Sequence, residues 1–232
     1  MKTLKKAVWE ANLEIVREGL VVHTWGNVSG VDRARGLMAI KPSGVPYEKL
    51  KPEHMVVVSL ATGEVVEGKL RPSSDTPTHL VLYRRFKDIG GVAHTHSLYA
   101  TAWAQAARGI PVLGTTHADY WNGEVPCTRR LRPEEIKKRY EENTGHVIVE
   151  RFANMDPLEV PSALVACHGP FAWGKDAADA VHNAVVLEFA ARLASETLRV
   201  NPKAGPIDAP LLRLHFSRKH GPGRYYGQTT SI

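Results

Sequence analysis

Between residues 27 and 67, four short β-like runs, "NVSGVD", "GLMAIKP", "MVVVSL" and "EVVEG", are punctuated by turn signals such as "RARG" and "ATG". Runs this short, the first and last pairs joined by tight turns, predict hairpin-linked strands, because parallel neighbours need a long crossover connection. On either side the period changes. Residues 3 to 18 place Leu4, Ala7, Val8, Ala11 and Ile15 at helical spacing, with Gly19 as the stop. "TPTHLVLYRRF" predicts a helix with Thr76 as N-cap and Pro77 in its first turn. "LYATAWAQAA", "DAADAVHNAVVLEFAARLASETL", capped by Asp176, and "APLLRLHFSRKH" predict three more, and "RPEEIKKRYEEN" opens one expected to run unbroken to about residue 154. "GGVAHTH" and "SALVAC" supply two further strands. Hairpin succession at one end and helix alternation elsewhere predict a three-layer α/β/α domain with a central, mixed or mainly antiparallel sheet. No low-complexity linker divides residues 1–232, which predicts a single domain.

Several functional classes fall away. No apolar stretch is long enough to span a bilayer, and "MKTLKKAVWEANLEIVREGL" carries charges every few positions in place of a signal-peptide core; the expectation is a cytosolic protein with no membrane partner. Cys127 and Cys167 are far apart in sequence and frame no disulfide scaffold. The net charge of +6 comes from bases interleaved with acids, as in "LRPEEIKKRYEEN", without a basic patch carrying aromatics. That pattern argues against nucleic acid and is compatible with a small phosphorylated substrate. "GEVVEGKL" at 63–70 nearly matches a phosphate-binding loop, but Leu70 replaces the magnesium-binding hydroxyl and Pro72 follows where a helix should run.

"HTH" at 94–96 carries more chemistry. In an extended strand His94 and His96 share a face about 6.6 Å apart, and two imidazoles can close that gap around one ion with bonds of about 2.0–2.1 Å. Alone, the pair is a weak signal, and two hydrogen-bonded polar residues at a strand end are the commoner reading. His168, just past the apolar run "SALVAC", offers a third imidazole, and three neutral imidazoles suit Zn²⁺ with one position left open. "RPSSD" sets Ser73, Ser74 and Asp75 at a helix start, where they either cap the helix or bind phosphate with Asp75 near the ion. "KPSG" (Lys41, Gly44) and "TWGNVS" (Gly26, Asn27) are two more loops with donors to offer, and three together look like a phosphate cradle.

Taken in order, "TWGNVS", "IKPSG", "RPSSDTPTH", "HTHS", "GTTHADY", "HGPFAWGKDAADAVHNAV" and "RKHG…YYGQ" resemble the class II, metal-dependent sugar-phosphate aldolase family, and within it the pentulose-phosphate 4-epimerases. The likeness runs from the first helix to Gln228. It implies a mainly antiparallel sheet flanked by helices and a homotetramer with active sites between subunits. It makes His94, His96 and His168 zinc ligands, with Mn²⁺ or Co²⁺ as other candidates, and Asp75 a further ligand or acid/base group. Gly26, Asn27, Ser43, Gly44, Ser73 and Ser74 become phosphate contacts with Lys41 nearby. Asp119 and Tyr226 become the acid/base pair reaching in from a neighbouring subunit, and Thr115, Thr116, Glu141, His215 and Arg218 line that interface. The implied reaction interconverts L-ribulose 5-phosphate and D-xylulose 5-phosphate by cleaving and re-forming a C–C bond. Two other readings stand beside it: an aldolase of the same family acting on L-fuculose or L-rhamnulose phosphate, and a non-catalytic scaffold on the same fold, which would be expected to lack the metal set.

Overall fold

A computed structural model describes residues 1–220 and Arg224. Seven strands form one sheet: β1 (Asn27–Asp32), β2 (Leu37–Ile40), β3 (Val56–Ser59), β4 (Val65–Glu67), β5 (Gly91–His94), β6 (Ser162–Val165) and β7 (Gly169–Gly174). Their order is β4-β3-β2-β1-β5-β7-β6, and every pairing between them is antiparallel. The hairpin succession read from residues 27–67 therefore sets one half of the sheet. The near-match to a phosphate-binding loop lies in the β3–β4 edge hairpin, and the next helix begins only at Thr76.

Among the described residues there are eight α-helices: α1 (Lys2–Arg17), α2 (Thr76–Arg85), α3 (Leu98–Gln105), α4 (Thr115–Ala118), α5 (Pro133–Lys137), α6 (Tyr140–Arg151), α7 (Ala177–Val200) and α8 (Ala209–His220). Strand alternation sorts the core into two layers. Met38, Ile40, Val56, Val58, Val92, Phe171 and Trp173 face α2, α3 and α6. Ala39, Val57, Ala93 and Ala172, their immediate neighbours in sequence, face α1 and the first half of α7. The three-layer α/β/α expectation holds. Asp176 caps α7 as its position predicts, accepting from the Asp179 amide at 2.8 Å. Among the described residues no helix is long and apolar enough to cross a membrane.

Four local expectations need correction. The helix expected to run to about residue 154 is two helices, α5 and α6. Arg139, with φ 56° and ψ 48°, turns left-handed between them, and the Asn143 side chain donates to the carbonyls of Glu135 (3.0 Å) and Lys138 (2.7 Å) that a continuous helix would have used. The second is a missed strand. "GPFAWG" is β7, joined to β6 by a tight hairpin in which Cys167 takes φ 65°; no turn-type glycine marks that loop. Third, the N-cap position of α2 belongs to Asp75, with Thr76 inside the helix. Fourth, β5 ends at His94, so His96 stands on the following loop and not on the strand face.

Candidate metal and phosphate-binding site

The site lies where the sheet's central strands end. β1 pairs with β5 so that Asn27 faces His94, and β5 pairs with β7 so that His94 faces Phe171. His94 stacks on the Phe171 ring at 4.1 Å and 14°, which fixes its plane. Its Nδ1 lies 2.9 Å from the Pro170 carbonyl oxygen. A carbonyl only accepts, so Nδ1–H is the donor, which in a neutral ring leaves the lone pair on Nε2. The β6–β7 hairpin brings His168 beside it, and the loop after β5 brings His96. Ring centroids are 5.0 Å (His94–His96), 4.8 Å (His94–His168) and 5.2 Å (His96–His168) apart, nearly an equilateral triangle. One nitrogen from each ring lies within 4.8 Å of the others, a spacing that can hold a metal ion. Burial, then the charge of His94 and His96, holds His168 down to about 3 against the opposing pull of Asp75. Burial and His94 also lower His96. Such imidazoles are neutral at pH 7, the state a metal requires.

Asp75 does not cap its helix. Its carboxylate accepts from Asn27 Nδ2 at 2.6 Å and lines the cleft. Burial would raise its pKa, but His94, His79, the Asn27 bond and His168 together outweigh burial and lower it. Burial holds His79 itself to about 3, so the Asn27 bond matters more than His79 at neutral pH. With Nδ2 committed to Asp75, Asn27 Oδ1 is buried and has no partner within the described residues.

The three polar loops converge on the same cleft of about 570 Å³. Two are zipped by backbone bonds: Ser43 N–H donates to the Arg71 carbonyl at 2.9 Å and Ser73 N–H to the Lys41 carbonyl at 3.0 Å. The third is tied in by Tyr47, whose hydroxyl donates to the Gly26 carbonyl at 2.8 Å. Gly26 has φ +96°, and a Cβ there would meet Val21 Cγ1 at 2.7 Å and the His94 carbonyl oxygen at 2.9 Å, so only glycine brings this loop so close to β5. Gly26, Asn27, Lys41, Ser43, Gly44, Ser73, Ser74 and Glu141 all line the cleft with the three histidines. Lys41 is buried without a carboxylate partner among the described residues. Its Nζ sits 4.6 Å over the Tyr47 ring, and burial lowers it from 10.5 to about 8.

This sheet-end triangle beside a phosphate-type cradle can be set against known proteins. The sequence pattern of the family described as Class II Aldolase and Adducin N-terminal domain matches residues 6–195. The chain belongs to the class II aldolase family. This class II aldolase-family chain is 59% identical over 228 residues to L-ribulose-5-phosphate 4-epimerase UlaF of Salmonella paratyphi B, covering 98% of this chain and 100% of that protein. An L-fuculose 1-phosphate aldolase shares the fold with a TM-score of 0.78 at 25% identity, over 92% of this chain and 94% of its own. An l-fuculose-1-phosphate aldolase from Thermus thermophilus gives 0.67 at 24% identity, over 88% of this chain and 100% of its own.

Not every expected residue of this family member enters the cleft. Asp119 accepts from His215 Nδ1 (3.0 Å) and from Arg218 Nε (3.1 Å) and Nη2 (2.9 Å), and pairs with Lys219 at 3.4 Å. Burial opposes, but these partners, Arg218 first, lower its pKa. Thr115 and Thr116 open α4, whose C-terminal residue is followed by Asp119. This second cluster contributes no residue to the cleft lining of its own chain. Tyr226 and the terminal "TTSI" lie outside the described residues. Thr24, Trp25, Pro42 and Tyr140 line the cleft without having been expected there. Tyr140 in particular is placed by the α5–α6 break, which the helical periodicity of "RPEEIKKRYEEN" conceals.

Proposed function

We propose that the chain is an L-ribulose-5-phosphate 4-epimerase that interconverts L-ribulose 5-phosphate and D-xylulose 5-phosphate. The observation that carries this reading is the 59% identity over nearly the whole chain to a protein of that name, joined to a cleft whose parts fit the reaction. The C4 hydrogen of a 2-ketopentose is not next to the carbonyl, so simple proton abstraction cannot invert that centre. The C4 hydroxyl is β to the C2 ketone, and retro-aldol cleavage of C3–C4 gives the enediolate of dihydroxyacetone and glycolaldehyde phosphate. Rotation of the aldehyde and re-addition complete the inversion.

Ser43, Ser73 and Ser74 hydroxyls, the backbone at Gly26 and Gly44, and Lys41 would hold the phosphate while the aldehyde turns. Asn27 Oδ1, buried and unpartnered, is an acceptor suited to a sugar hydroxyl. His94, His96 and His168, with Asp75 beside them, are the donor set for a divalent ion, Zn²⁺ first by ligand type and Mn²⁺ or Co²⁺ as alternatives. Such an ion supplies Lewis-acid stabilisation of the negative charge that develops on the sugar's oxygens. Asp119 and Tyr226 are the proposed proton-transfer pair, with Thr115, Thr116, Glu141, His215 and Arg218 around the junction they share. The absence of Asp119 from its own chain's cleft supports a site completed by a second copy, and the expected assembly is a homotetramer. Exposed Phe189 and Leu193 on α7, and α8 without a buried residue, leave surface for that contact. Residues 1–232 are taken as one domain acting in the cytosol, where phosphorylated sugars are retained.

The test is to supply purified protein with L-ribulose 5-phosphate, with and without a chelator. Both D-xylulose 5-phosphate and free glycolaldehyde phosphate are followed. The expected result is chelator-sensitive epimer with little released aldehyde. Absence of chelator-sensitive epimer overturns the reading, and accumulation of aldehyde converts it to an aldolase.

A further inference from the structure

Tyr140 stands first in α6 and faces the cleft, yet none of the roles above uses it. Its hydroxyl lies 3.3 Å from His168 Nδ1, and its ring stacks over the imidazole at 6.1 Å and 30°. His94 (76°), His96 (61°) and Phe171 (85°) meet His168 edge-on. Tyr140 is itself held from several sides. The Thr144 hydroxyl donates to the Tyr140 carbonyl at 2.9 Å, the Thr78 hydroxyl of α2 donates to the Glu141 carbonyl, and Arg139 before it adopts φ 56°. A left-handed residue that is not glycine costs roughly 1–2 kcal/mol and persists only where the surroundings enforce it.

We infer that Tyr140 is the positioning residue for His168. It fixes the ring's tautomer and plane so that Nε2 presents its lone pair to the ion shared with His94 and His96. With Nδ1 engaged by Tyr140, the nitrogen left for an ion is Nε2. A neutral imidazole carries one N–H, so Nδ1 is then the donor and the Tyr140 hydroxyl the acceptor. The arrangement repeats at His94, where Nδ1–H donates to the Pro170 carbonyl. Two of the three imidazoles are thus oriented through Nδ1, one by the main chain and one by a phenol. Groups that bond the far nitrogen of a ligating histidine hold ring orientation and raise ligand basicity.

The inference rests on the metal reading given above, and the test separates the two. Zinc-loaded wild type and Tyr140→Phe are compared for metal affinity and for the rate at which a chelator strips the ion, and the Co²⁺-loaded forms for their visible spectra. Tyr140→Phe keeps the ring and removes only the acceptor. The expected result is metal affinity roughly 10–100-fold lower and shifted cobalt bands, with the circular dichroism of the wild type. Nitrogen-15 NMR of the zinc-loaded wild type, which needs no variant to fold, should show His168 protonated on Nδ1. Equal affinity and an unchanged cobalt spectrum in Tyr140→Phe, or an Nε2–H tautomer in the wild type, overturn this inference alone. A wild type that takes up no divalent ion overturns the metal reading and this inference with it.

Discussion

Lys41 is 2% exposed, and its Nζ donates to the Pro42 carbonyl at 3.4 Å and sits 4.6 Å over the Tyr47 ring. Burial lowers it from 10.5 to about 8. A difference of that size corresponds to roughly 3 kcal/mol against the charged form in the folded chain. The sign follows from proton counting. Below about 8 both states are protonated and the whole penalty is present; between about 8 and 10.5 the unfolded chain holds the proton that the native chain has released, so stability rises with pH. Lys41→Met removes the charge and keeps a linear side chain. It also forfeits the contact with Tyr47, which at a desolvated site is about 2 kcal/mol. The net expectation at pH 7 is a gain of about 1 kcal/mol, or roughly 2–4 °C in Tm for a chain of this size. The gain should vanish above pH 10.5, where Lys41 is neutral in the native and the unfolded chain alike. Catalysis moves the other way. Losing a charged hydrogen bond to phosphate, about 1.5–3 kcal/mol, lowers kcat/KM roughly 10–150-fold, and inorganic phosphate should raise the Tm of the wild type but not of the variant. Calorimetry at pH 7 and pH 10.5 decides the matter. A variant that melts lower than wild type at pH 7, or equally higher at both pH values, would refute the claim that Lys41 is held as an uncompensated charge awaiting an anion.

Three further substitutions probe separate parts of the argument. Gly26→Ala places a Cβ 2.7 Å from Val21 Cγ1 and 2.9 Å from the His94 carbonyl oxygen; it should destabilise by about 1–3 kcal/mol and lower metal content, and unchanged melting would contradict it. Asp119→Asn should lower epimerisation by about 10²–10⁴-fold while stoichiometric metal is retained, since Asp119 is absent from the histidine cleft of its own chain. Full turnover in that variant would remove Asp119 from the proton transfers. Asp176→Ala deletes the 2.8 Å cap on α7 and should cost about 0.5–2 kcal/mol by denaturant melts with kcat unchanged, a drop in kcat arguing that α7 reaches the chemistry.

What could be read beforehand follows the range of the forces involved. Hairpin succession, helical periodicity and the Asp176 cap are local, and the elements they define are present apart from the helix that breaks at Arg139. The cradle loops were recognisable because hydroxyls, glycines and a lysine cluster within a few residues of one another. What stayed hidden depends on distant partners. "GPFAWG" looks like a turn until β5 is available to pair with it along Gly91–His94. The break before Tyr140 depends on Asn143 competing for the Glu135 and Lys138 carbonyls, a contest that periodicity does not register. The spacing of His94 and His96 suggested a shared strand face, whereas the strand stops at His94 and the ring triangle is closed by loop geometry. Asp75 could have capped α2, and its recruitment by Asn27, 48 residues away, turns it toward the cleft instead.

Acid stability exposes the buried histidines outside the proposed ligand set. Burial holds His79 to about 3, with Asp75 opposing. Burial likewise holds His117 to about 4, although its bond to the Gly123 carbonyl at 2.9 Å pulls upward. Both are neutral in the native chain at a pH where the unfolded chain, with the ordinary value of 6.5, is protonated. Stability is therefore intact above 6.5 and falls as pH drops, by about 1.4 kcal/mol per unit for each group, until each native value is reached. At about pH 4.5 the two together remove about 5 kcal/mol, which meets the lower edge of the roughly 5–15 kcal/mol that holds a domain folded. Asp75, whose native pKa is depressed, adds loss in the same direction at still lower pH. In the metal-free chain His168, also held to about 3, adds a third loss of the same kind, so that chain should unfold near pH 4–5 with uptake of about three protons or more, read by tryptophan fluorescence and circular dichroism. His117→Asn keeps a donor for the Gly123 carbonyl without titrating, and lies outside the cleft; it should shift the midpoint to lower pH. A wild-type midpoint below about pH 3.5, or a His117→Asn midpoint that does not move, would show that these imidazoles accept protons within the folded chain.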